Sequence, residues 1–192
     1  MTDEARNILV VAHGRRPDTV GAAARVIGAL RDAGATPVLS SDDRAELDSA
    51  IPGPLATLGA DVAVADIELA IVLGGDGTIL RAAELVREGS APVLGINMGH
   101  VGFLAEIERD DMDEAVRRVI DRDYTVEERL ALQVRIKDRD EQVIYETWAL
   151  NEATVEKASR ERMLEVVIEI DGRPLSSFGC DGIVVSTPTG ST

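Results

Sequence analysis

Basic and aromatic residues are scarce in this sequence. Its 192 residues include 20 Lys plus Arg against 35 Asp plus Glu, which gives a formal net charge of −15 at pH 7. Proteins that coat duplex nucleic acids gain most of their affinity from clustered Lys and Arg, and proteins that bind single strands stack the bases on aromatic rings. Only one Trp, two Tyr and two Phe are present for such stacking. The composition therefore argues against a nucleic acid as partner.

Cysteines and long apolar runs are also rare. The single cysteine, Cys180, cannot form an internal disulfide, which is consistent with a reducing compartment. No apolar run approaches the roughly 18 residues that span a bilayer, and the residues after Met1 lack the basic and apolar regions of a secretion signal. With 45% hydrophobic and 29% charged residues, the sequence has the composition of a globular protein. We expect a cytoplasmic protein without a membrane partner.

The first two-thirds of the sequence alternates short apolar runs with helical patterns. Predicted strands cover residues 8–12, 37–39, 69–73 and 92–97. Predicted helices carry apolar residues at i, i+3, i+4 and i+7, counted from Val20, from Ile79 and from Met112. Residues 41–66 have no clear pattern. Strands that alternate with helices predict a Rossmann-like parallel sheet that is covered by helices on both faces.

The pattern changes after residue 125. Runs in which apolar and polar residues alternate predict strands with one buried face. These runs cover residues 130–136, 143–150 and 164–170. Asp171-Gly172, directly after the last run, is a typical hairpin turn. We expect an α/β domain at residues 1–125, followed by the first part of an antiparallel β domain of sandwich type at residues 126–192.

Residues 74–78, Gly-Gly-Asp-Gly-Thr, join a predicted buried strand to a predicted helix. The amides of such a turn and the helix dipole can meet phosphate oxygens at the carboxyl edge of the sheet. The carboxylate of Asp76 has the chemistry to hold a substrate hydroxyl or a Mg²⁺ ion. The alternative is a tight turn with Asp76 near a helix cap, although three glycines around one acid exceed what a turn needs. No Walker A string and no Gly-x-Gly-x-x-Gly at a helix start occur.

Two later segments also carry polar groups at strand ends. Asn151-Glu152 follows a predicted strand, and an amide beside a carboxylate can read a ribose diol or a base edge. A solvent-exposed strand end is the simpler explanation for that pair alone. A short predicted strand at residues 183–185 leads into a loop of hydroxyls and glycine at residues 186–192, which is typical of a phosphate or ribose cradle.

Taken together, these segments resemble the bacterial NAD kinase family. The Gly-Gly-Asp-Gly part alone is shared with diacylglycerol-type lipid kinases and, in variant form, with phosphofructokinases, and it is the later motifs that select NAD kinase. In order along the chain, the matching motifs are Gly-Gly-Asp-Gly-Thr at 74–78, Gly99-x-x-Gly102-Phe103-Leu104, Asn151-Glu152, and Asp181-Gly182 leading to Ser-Thr-Pro-Thr-Gly-Ser-Thr at 186–192. The resemblance covers residues 8–192.

The resemblance implies a Mg²⁺-dependent transfer of a phosphoryl group from ATP, or from inorganic polyphosphate, to the 2′-hydroxyl of the adenosine ribose of NAD, giving NADP. Asp76 would orient that hydroxyl and accept its proton. The Mg²⁺ would be held by the donor phosphates, with no protein ligand assigned to it, and the assembly would be a homodimer or homotetramer. The nucleotide-binding residues implied by the resemblance are Gly75, Asp76, Gly77, Thr78, Arg81, Asn151, Glu152, Arg162, Asp181, Thr189, Gly190, Ser191 and Thr192.

Members of the family continue beyond the loop that ends here at Thr192, through further strands of the β domain. We therefore expect a chain that ends at Thr192 to leave sheet edges unpaired and to be poorly active alone. Two other functions stay open at this stage. One is a diacylglycerol or sphingoid lipid kinase, which would need an apolar acceptor groove, and the other is a non-catalytic module that binds NAD(P).

Overall fold

The computed structural model describes residues 6–12, 16–48, 50–99, 104–105, 107–158 and 163–190. The chain forms two compact units, Met1–Val126 and Glu127–Thr192. The first unit is an α/β structure and the second is antiparallel β, so the predicted fold class is confirmed. No helix in the described part of the chain combines the length and the apolar character that a membrane span requires.

The described residues of the first unit form one parallel sheet with helices. The strands are β1 (Asn7–Ala12), β2 (Thr36–Leu39), β3 (Ala56–Thr57), β4 (Ile67–Leu73), β5 (Val93–Asn97) and β6 (Ile107–Glu108). The helices are α1 (Pro17–Asp32), α2 (Ser41–Leu47), α3 (Asp76–Val86) and α4 (Met112–Asp121), with 3-10 turns at Val64–Asp66 and Arg109–Asp111. The strand order β3-β2-β1-β4-β5-β6 reverses direction between β1 and β4, as in doubly wound Rossmann sheets.

Both faces of this sheet are covered, as the sequence predicts. All residues from Ile8 to Ala12 in β1 are fully buried. Because strand side chains alternate, Ile8 and Val10 pack into the cluster formed with α1 and α4, while Leu9 and Val11 pack into the cluster formed with α3. A strand buried on both sides must be apolar at every position, which is why the run was recognisable in the sequence.

The unpatterned stretch at residues 41–66 contains short elements. It holds α2, the two-residue strand β3 and a 3-10 turn at Val64–Asp66. Elements of two to seven residues are too short to show a helical or alternating period, so pattern analysis did not reveal them.

The described residues of the second unit form antiparallel strand pairs. The strands are β7 (Leu132–Lys137), β8 (Val143–Ala149), β9 (Glu152–Glu156), β10 (Leu164–Ile170), β11 (Arg173–Cys180) and β12 (Gly182–Ser186). The pairs are β7–β8, β10–β11 and β9–β12. Asp171 and Gly172 join β10 to β11 with φ angles of 51° and 73°, the left-handed values of a type I′ turn, which confirms the predicted hairpin.

Candidate functional site

A cleft of about 500 Å³ lies in the first unit at the carboxyl ends of β1, β4 and β5. Doubly wound sheets bind ligands at this edge, at the point where the strand order reverses, which here is between β1 and β4. The predicted site residues that line the cleft are Gly75, Asp76, Gly77, Thr78 and Arg81. The fold therefore places the whole glycine-rich motif where a ligand is expected.

The backbone of the glycine-rich turn is shaped by close packing. A Cβ atom on Gly74 would lie 2.5 Å from the Oγ1 atom of Thr78, so any side chain at Gly74 would collide with the first turn of α3. Gly75 is the N-cap of α3, and its carbonyl accepts hydrogen bonds from the amides of Thr78 and Ile79 at 2.9 and 3.2 Å. Because a glycine N-cap has no side chain to cover the helix end, the first amides of α3 can reach a ligand.

Asp76 is the first residue of α3 and is half-buried. Its Oδ1 atom accepts a hydrogen bond of 3.1 Å from the backbone N–H of Leu104. Leu104 ends the predicted Gly99-x-x-Gly102-Phe103-Leu104 motif, of which residues 100–103 lie outside the described part of the chain. The structure thus brings two of the sequence motifs together and fixes the orientation of the Asp76 carboxylate.

Arg81 extends from α3 to a buried acid on another element. Its Nη2 atom donates hydrogen bonds to Oδ1 of Asp43 at 2.6 Å and to the carbonyl oxygen of Ala12 at 3.3 Å. The Asp43 side chain is 1% exposed, and its Oδ2 atom accepts a hydrogen bond of 2.9 Å from the hydroxyl of Ser40. Ser40 is also the N-cap of α2, where its hydroxyl accepts from the Asp43 amide.

Burial is the main influence on the charge of Asp43. Removal from water raises the pKa of the Asp43 carboxyl above its ordinary value, and the hydrogen bond from Arg81 opposes that rise. The sequence analysis did not select Asp43, because it lies in the unpatterned acidic stretch. Its one sequence signal is the Ser-x-x-Asp spacing from Ser40, which is typical of a helix start.

Further residues that line the cleft were not selected from the sequence, among them Thr19, Glu46, Asn97 and Met98. Asn97 ends β5 and is buried, its Oδ1 atom accepts from the Gly99 amide at 3.2 Å, and its amide lies 3.4 Å from both carboxylate oxygens of Glu108. Polar residues that follow a predicted parallel strand are a usable signal, because the carboxyl ends of such strands share one edge of the sheet.

The second unit brings Asn151 and the loop at residues 187–190 into contact. The Thr187 side chain is buried, its hydroxyl donates to the carbonyl of Leu150 at 2.6 Å, and it accepts from the amide of Gly190 at 3.1 Å. A Cβ atom on Gly190 would overlap the backbone of Asn151. Within the described residues, the buried Oδ1 atom of Asn151 has no hydrogen-bond partner. That burial differs from the solvent-exposed strand end that was the simpler expectation.

The remaining predicted residues of the second unit have simpler surroundings. Glu152 is exposed at the start of β9, where it pairs with Ser186 of β12. Asp181 is exposed between β11 and β12 and forms an ion pair with Lys157. Thr189 is half-buried in the same loop as Gly190. Arg162, Ser191 and Thr192 lie outside the described residues.

The carboxylates that line the cleft are Asp76 and Glu46. Within the described ranges, no three or more His, Cys, Asp or Glu side chains converge as a metal site would require. This donor set suits a Mg²⁺ ion that is held by substrate phosphates and water, with at most one or two carboxylates from the protein.

Comparison with known proteins connects both units to one family. The family model for the ATP-NAD kinase N-terminal domain matches residues 9–124, and the model for the ATP-NAD kinase C-terminal domain matches residues 150–192. The chain is 62% identical to an NAD kinase of Leifsonia xyli subsp. xyli, covering 97% of this chain and 62% of that protein. It is 52% identical to an NAD kinase of Thermobifida fusca, covering 97% and 59% respectively.

A solved structure shares the fold. Yeast NADH kinase complexed with NADH superposes with a TM-score of 0.84 at 24% identity, covering all of this chain and 60% of that one. The chain thus spans about three-fifths of the length of the relatives it matches. With the Asp76 cleft at the sheet switch point and both family models matching in sequence order, the chain belongs to the NAD kinase family.

Proposed function

We propose that this protein transfers the terminal phosphoryl group of ATP or of inorganic polyphosphate to the 2′-hydroxyl of the adenosine ribose of NAD, giving NADP. The observation that carries the proposal is the placement of Asp76. In a chain of the NAD kinase family, its carboxylate lies at the head of α3, in the cleft at the switch point of the sheet, and the amide of Leu104 holds it in one orientation.

In this proposal, Asp76 acts on the acceptor hydroxyl. Its carboxylate accepts a hydrogen bond from the 2′-hydroxyl and takes the proton as the ribose oxygen bonds to the terminal phosphorus of the donor. The bond between that phosphorus and the leaving phosphate oxygen breaks in the same step. Phosphoryl transfer requires mainly positioning and charge stabilisation from a protein, which a fixed carboxylate beside a helix N-terminus supplies.

Backbone amides and Arg81 supply the phosphate contacts in the same cleft. The residues assigned to this role are Gly75, Gly77, Thr78 and Arg81, all of which line it. A bound Mg²⁺, held by the donor phosphates, would neutralise charge on the transferred phosphoryl group. In the second unit we assign nucleotide binding to Asn151, Glu152, Arg162, Asp181 and Thr189–Thr192. Within the part of the chain that the structure describes, the buried Oδ1 of Asn151 has no hydrogen-bond partner, and this supports the assignment because a ligand N–H would satisfy it.

The proposal also covers the domain bounds, the location, the assembly and the partners of the protein. We assign the α/β domain to residues 1–125 and the β domain to residues 126–192, and we expect a cytoplasmic homodimer or homotetramer with no nucleic acid or membrane partner. The net charge of −15 supports the last point, since a small dinucleotide can be bound by amides and a few arginines, whereas an extended polyanion cannot.

One assay tests the function. The protein is incubated with Mg²⁺ and either ATP or polyphosphate, in the presence of NAD, NADH or diacylglycerol, and NADP, NADPH and phospholipid are measured. We expect NADP to form, and Asp76→Asn to lower kcat by about 10²-fold or more. The matched control is Asp113→Asn, because Asp113 also lies in the first turn of a helix, α4, but is 72% exposed and outside the cleft.

Other outcomes of this assay would support one of the two alternative functions. Phospholipid formation without NADP would identify a lipid kinase, and binding of NAD without turnover would identify a non-catalytic module. NADP formation at equal rates in the wild type and in Asp76→Asn would contradict the role of Asp76 even if the function is right.

A further inference from the structure

We propose that Asp43 is a positioning residue that holds the guanidinium of Arg81 in the orientation that binds phosphate in the cleft. The proposal rests on the proposed function for the identity of the anion as a phosphate chain. Asp43 is not among the residues that line the cleft. Its role is exerted through Arg81 alone.

In the part of the chain that the structure describes, the hydrogen bonds of Arg81 involve only one of the three guanidinium nitrogens, Nη2. The Nη2 atom is occupied by Asp43 and by the carbonyl of Ala12, which ends β1. Within the described residues, Nη1 and Nε have no hydrogen-bond partner, while the side chain is 39% exposed and lines the cleft. A guanidinium fixed through Nη2 still has the N–H groups of Nη1 and Nε, each of which can donate singly to a phosphate oxygen.

Asp43 is itself held rigidly. One carboxylate oxygen accepts from Arg81 and the other from Ser40, which caps α2 directly after β2. Arginine loses considerable rotamer freedom when it binds, so a fixed internal partner reduces the entropy that the ligand must overcome. Asp43 and Ser40 thus connect the position of Arg81 to the sheet.

The charges around Arg81 make its fixed orientation important for phosphate binding. Glu46 lines the same cleft and lies close enough to raise the pKa of Asp43 by charge repulsion, an effect smaller than that of burial. Because the negative charge of Glu46 disfavours an anion in the cleft, a guanidinium kept in the orientation that binds phosphate matters more for binding.

The test measures binding of inorganic tripolyphosphate by isothermal titration calorimetry, without NAD and independently of turnover. We expect Asp43→Ala to weaken tripolyphosphate binding about tenfold, because the hydrogen bond that orients Arg81 is lost. Asp43→Asn keeps an oxygen that accepts from Arg81, so its affinity should return to within about threefold of the wild type. The control Asp42→Ala removes one charge from an exposed neighbour on the same helix and should change affinity by less than about twofold.

A double-mutant cycle with Arg81→Gln decides whether Asp43 acts through Arg81. We expect Asp43→Ala to cause no further loss in the Arg81→Gln background. Circular dichroism and melting temperature check that each variant is folded, and Asp43→Ser, whose side chain is too short to reach Arg81, replaces Asp43→Ala if that variant does not fold.

Several results would overturn the inference. One is that Asp43→Ala binds tripolyphosphate as tightly as the wild type or more tightly, and another is that the wild type does not bind it. The inference also fails if Asp43→Asn and Asp43→Ala lose equal affinity for tripolyphosphate, or if the losses of affinity add in the double variant. Formation of NADP is measured separately. A wild type that makes no NADP but shows the coupling contradicts only the proposed function, and an NADP-forming wild type without the coupling contradicts only the role of Asp43.

Discussion

Arg6 donates hydrogen bonds to both carboxylate oxygens of Glu68, at 2.9 and 2.6 Å. The same guanidinium donates to the carbonyls of Val119 and Ile120 near the end of α4, at 2.8 and 2.6 Å. Arg122, the C-cap of α4, adds a second pair of hydrogen bonds to Glu68. The start of β4 is therefore tied to the end of α4, at the edge of the sheet opposite the cleft.

The ion pair between Arg6 and Glu68 predicts that the stability of the folded protein depends on pH. Hydrogen bonds from Arg6, against the opposing effect of burial, lower the pKa of Glu68 from 4.5 to about 2. A lowered folded-state pKa gives stability that is present above the unfolded value and is lost as the pH falls toward the folded value. We expect Glu68→Gln to lower the free energy of unfolding by about 2 kcal/mol at pH 7. Urea unfolding at pH 7, 4 and 3 should show this difference shrinking below pH 4.5.

Glu114→Gln is the control for this experiment. Glu114 also pairs with two arginines, Arg117 and Arg118, but on the exposed face of α4. Exposed ion pairs of this kind contribute little, so the control should match the wild type at pH 7. A loss in Glu68→Gln that stays constant from pH 7 to pH 3 would show that packing, and not the charge of Glu68, is responsible.

Gly74 and Gly77 form a matched pair for testing the glycine-rich turn. A Cβ atom on Gly74 would meet Thr78 at 2.5 Å, whereas one on Gly77 would meet nothing within 4 Å. We expect Gly74→Ala to destabilise the protein by about 1–3 kcal/mol and Gly77→Ala to leave its stability equal or higher by about 0.5 kcal/mol, since Gly77 is helical. Melting temperatures measure both effects. Equal losses in the two variants would contradict the packing account of Gly74.

The sequence predicted best those features that depend on neighbouring residues. β1 was recognisable because Ile8–Ala12 is buried on both faces and is therefore continuously apolar. The glycine-rich turn was recognisable because close packing against Thr78 requires a glycine at position 74, and a helix start that faces a ligand favours the glycine N-cap at position 75. Each of these constraints acts within about ten residues of the chain.

The features that pattern analysis missed depend on partners far away in the chain. Asp43 becomes significant only when packing brings Arg81, 38 residues later, to its carboxylate. β9 pairs with β12 across a long connection, and its short, charged sequence carries little strand signal alone. The hydrogen bond from the Thr187 hydroxyl to the Asn151 carbonyl likewise joins residues 36 positions apart in the chain. Such contacts are tertiary, and no local period encodes them.

Gly190→Ala tests the contact that covers Asn151. The added methyl group would overlap the Asn151 backbone, so the loop at residues 187–190 must move away from it. If Asn151 binds the nucleotide as proposed, the KM for NAD should rise about tenfold or more, with a smaller effect on kcat. Gly179→Ala is the control, because a Cβ atom there meets only the flexible end of Met163 at 3.4 Å. An unchanged KM for NAD in Gly190→Ala would remove this loop from the proposed site.

Asp43→Asn is also informative about stability. Burial raises the pKa of the Asp43 carboxyl, so the ionised form is disfavoured in the folded protein. For an acid with a raised folded-state pKa, stability is greatest below the unfolded pKa and falls as the pH rises through the folded pKa. At pH 7 the neutral amide avoids this cost, and we expect Asp43→Asn to be as stable as the wild type or more stable by about 1 kcal/mol.

The melting temperatures of the wild type and Asp43→Asn, measured at pH 7 and below pH 3.8, check this expectation. The difference between the two proteins should vanish at the lower pH, where Asp43 is protonated in both the folded and the unfolded state. A marked loss of stability in Asp43→Asn at pH 7 would mean that the ion pair with Arg81 holds the fold together. If stability is instead unchanged or higher, the buried charge contributes nothing to folding. That result, combined with weaker tripolyphosphate binding in Asp43→Ala, would leave the orientation of Arg81 as the reason for a hydrogen-bond acceptor at this position.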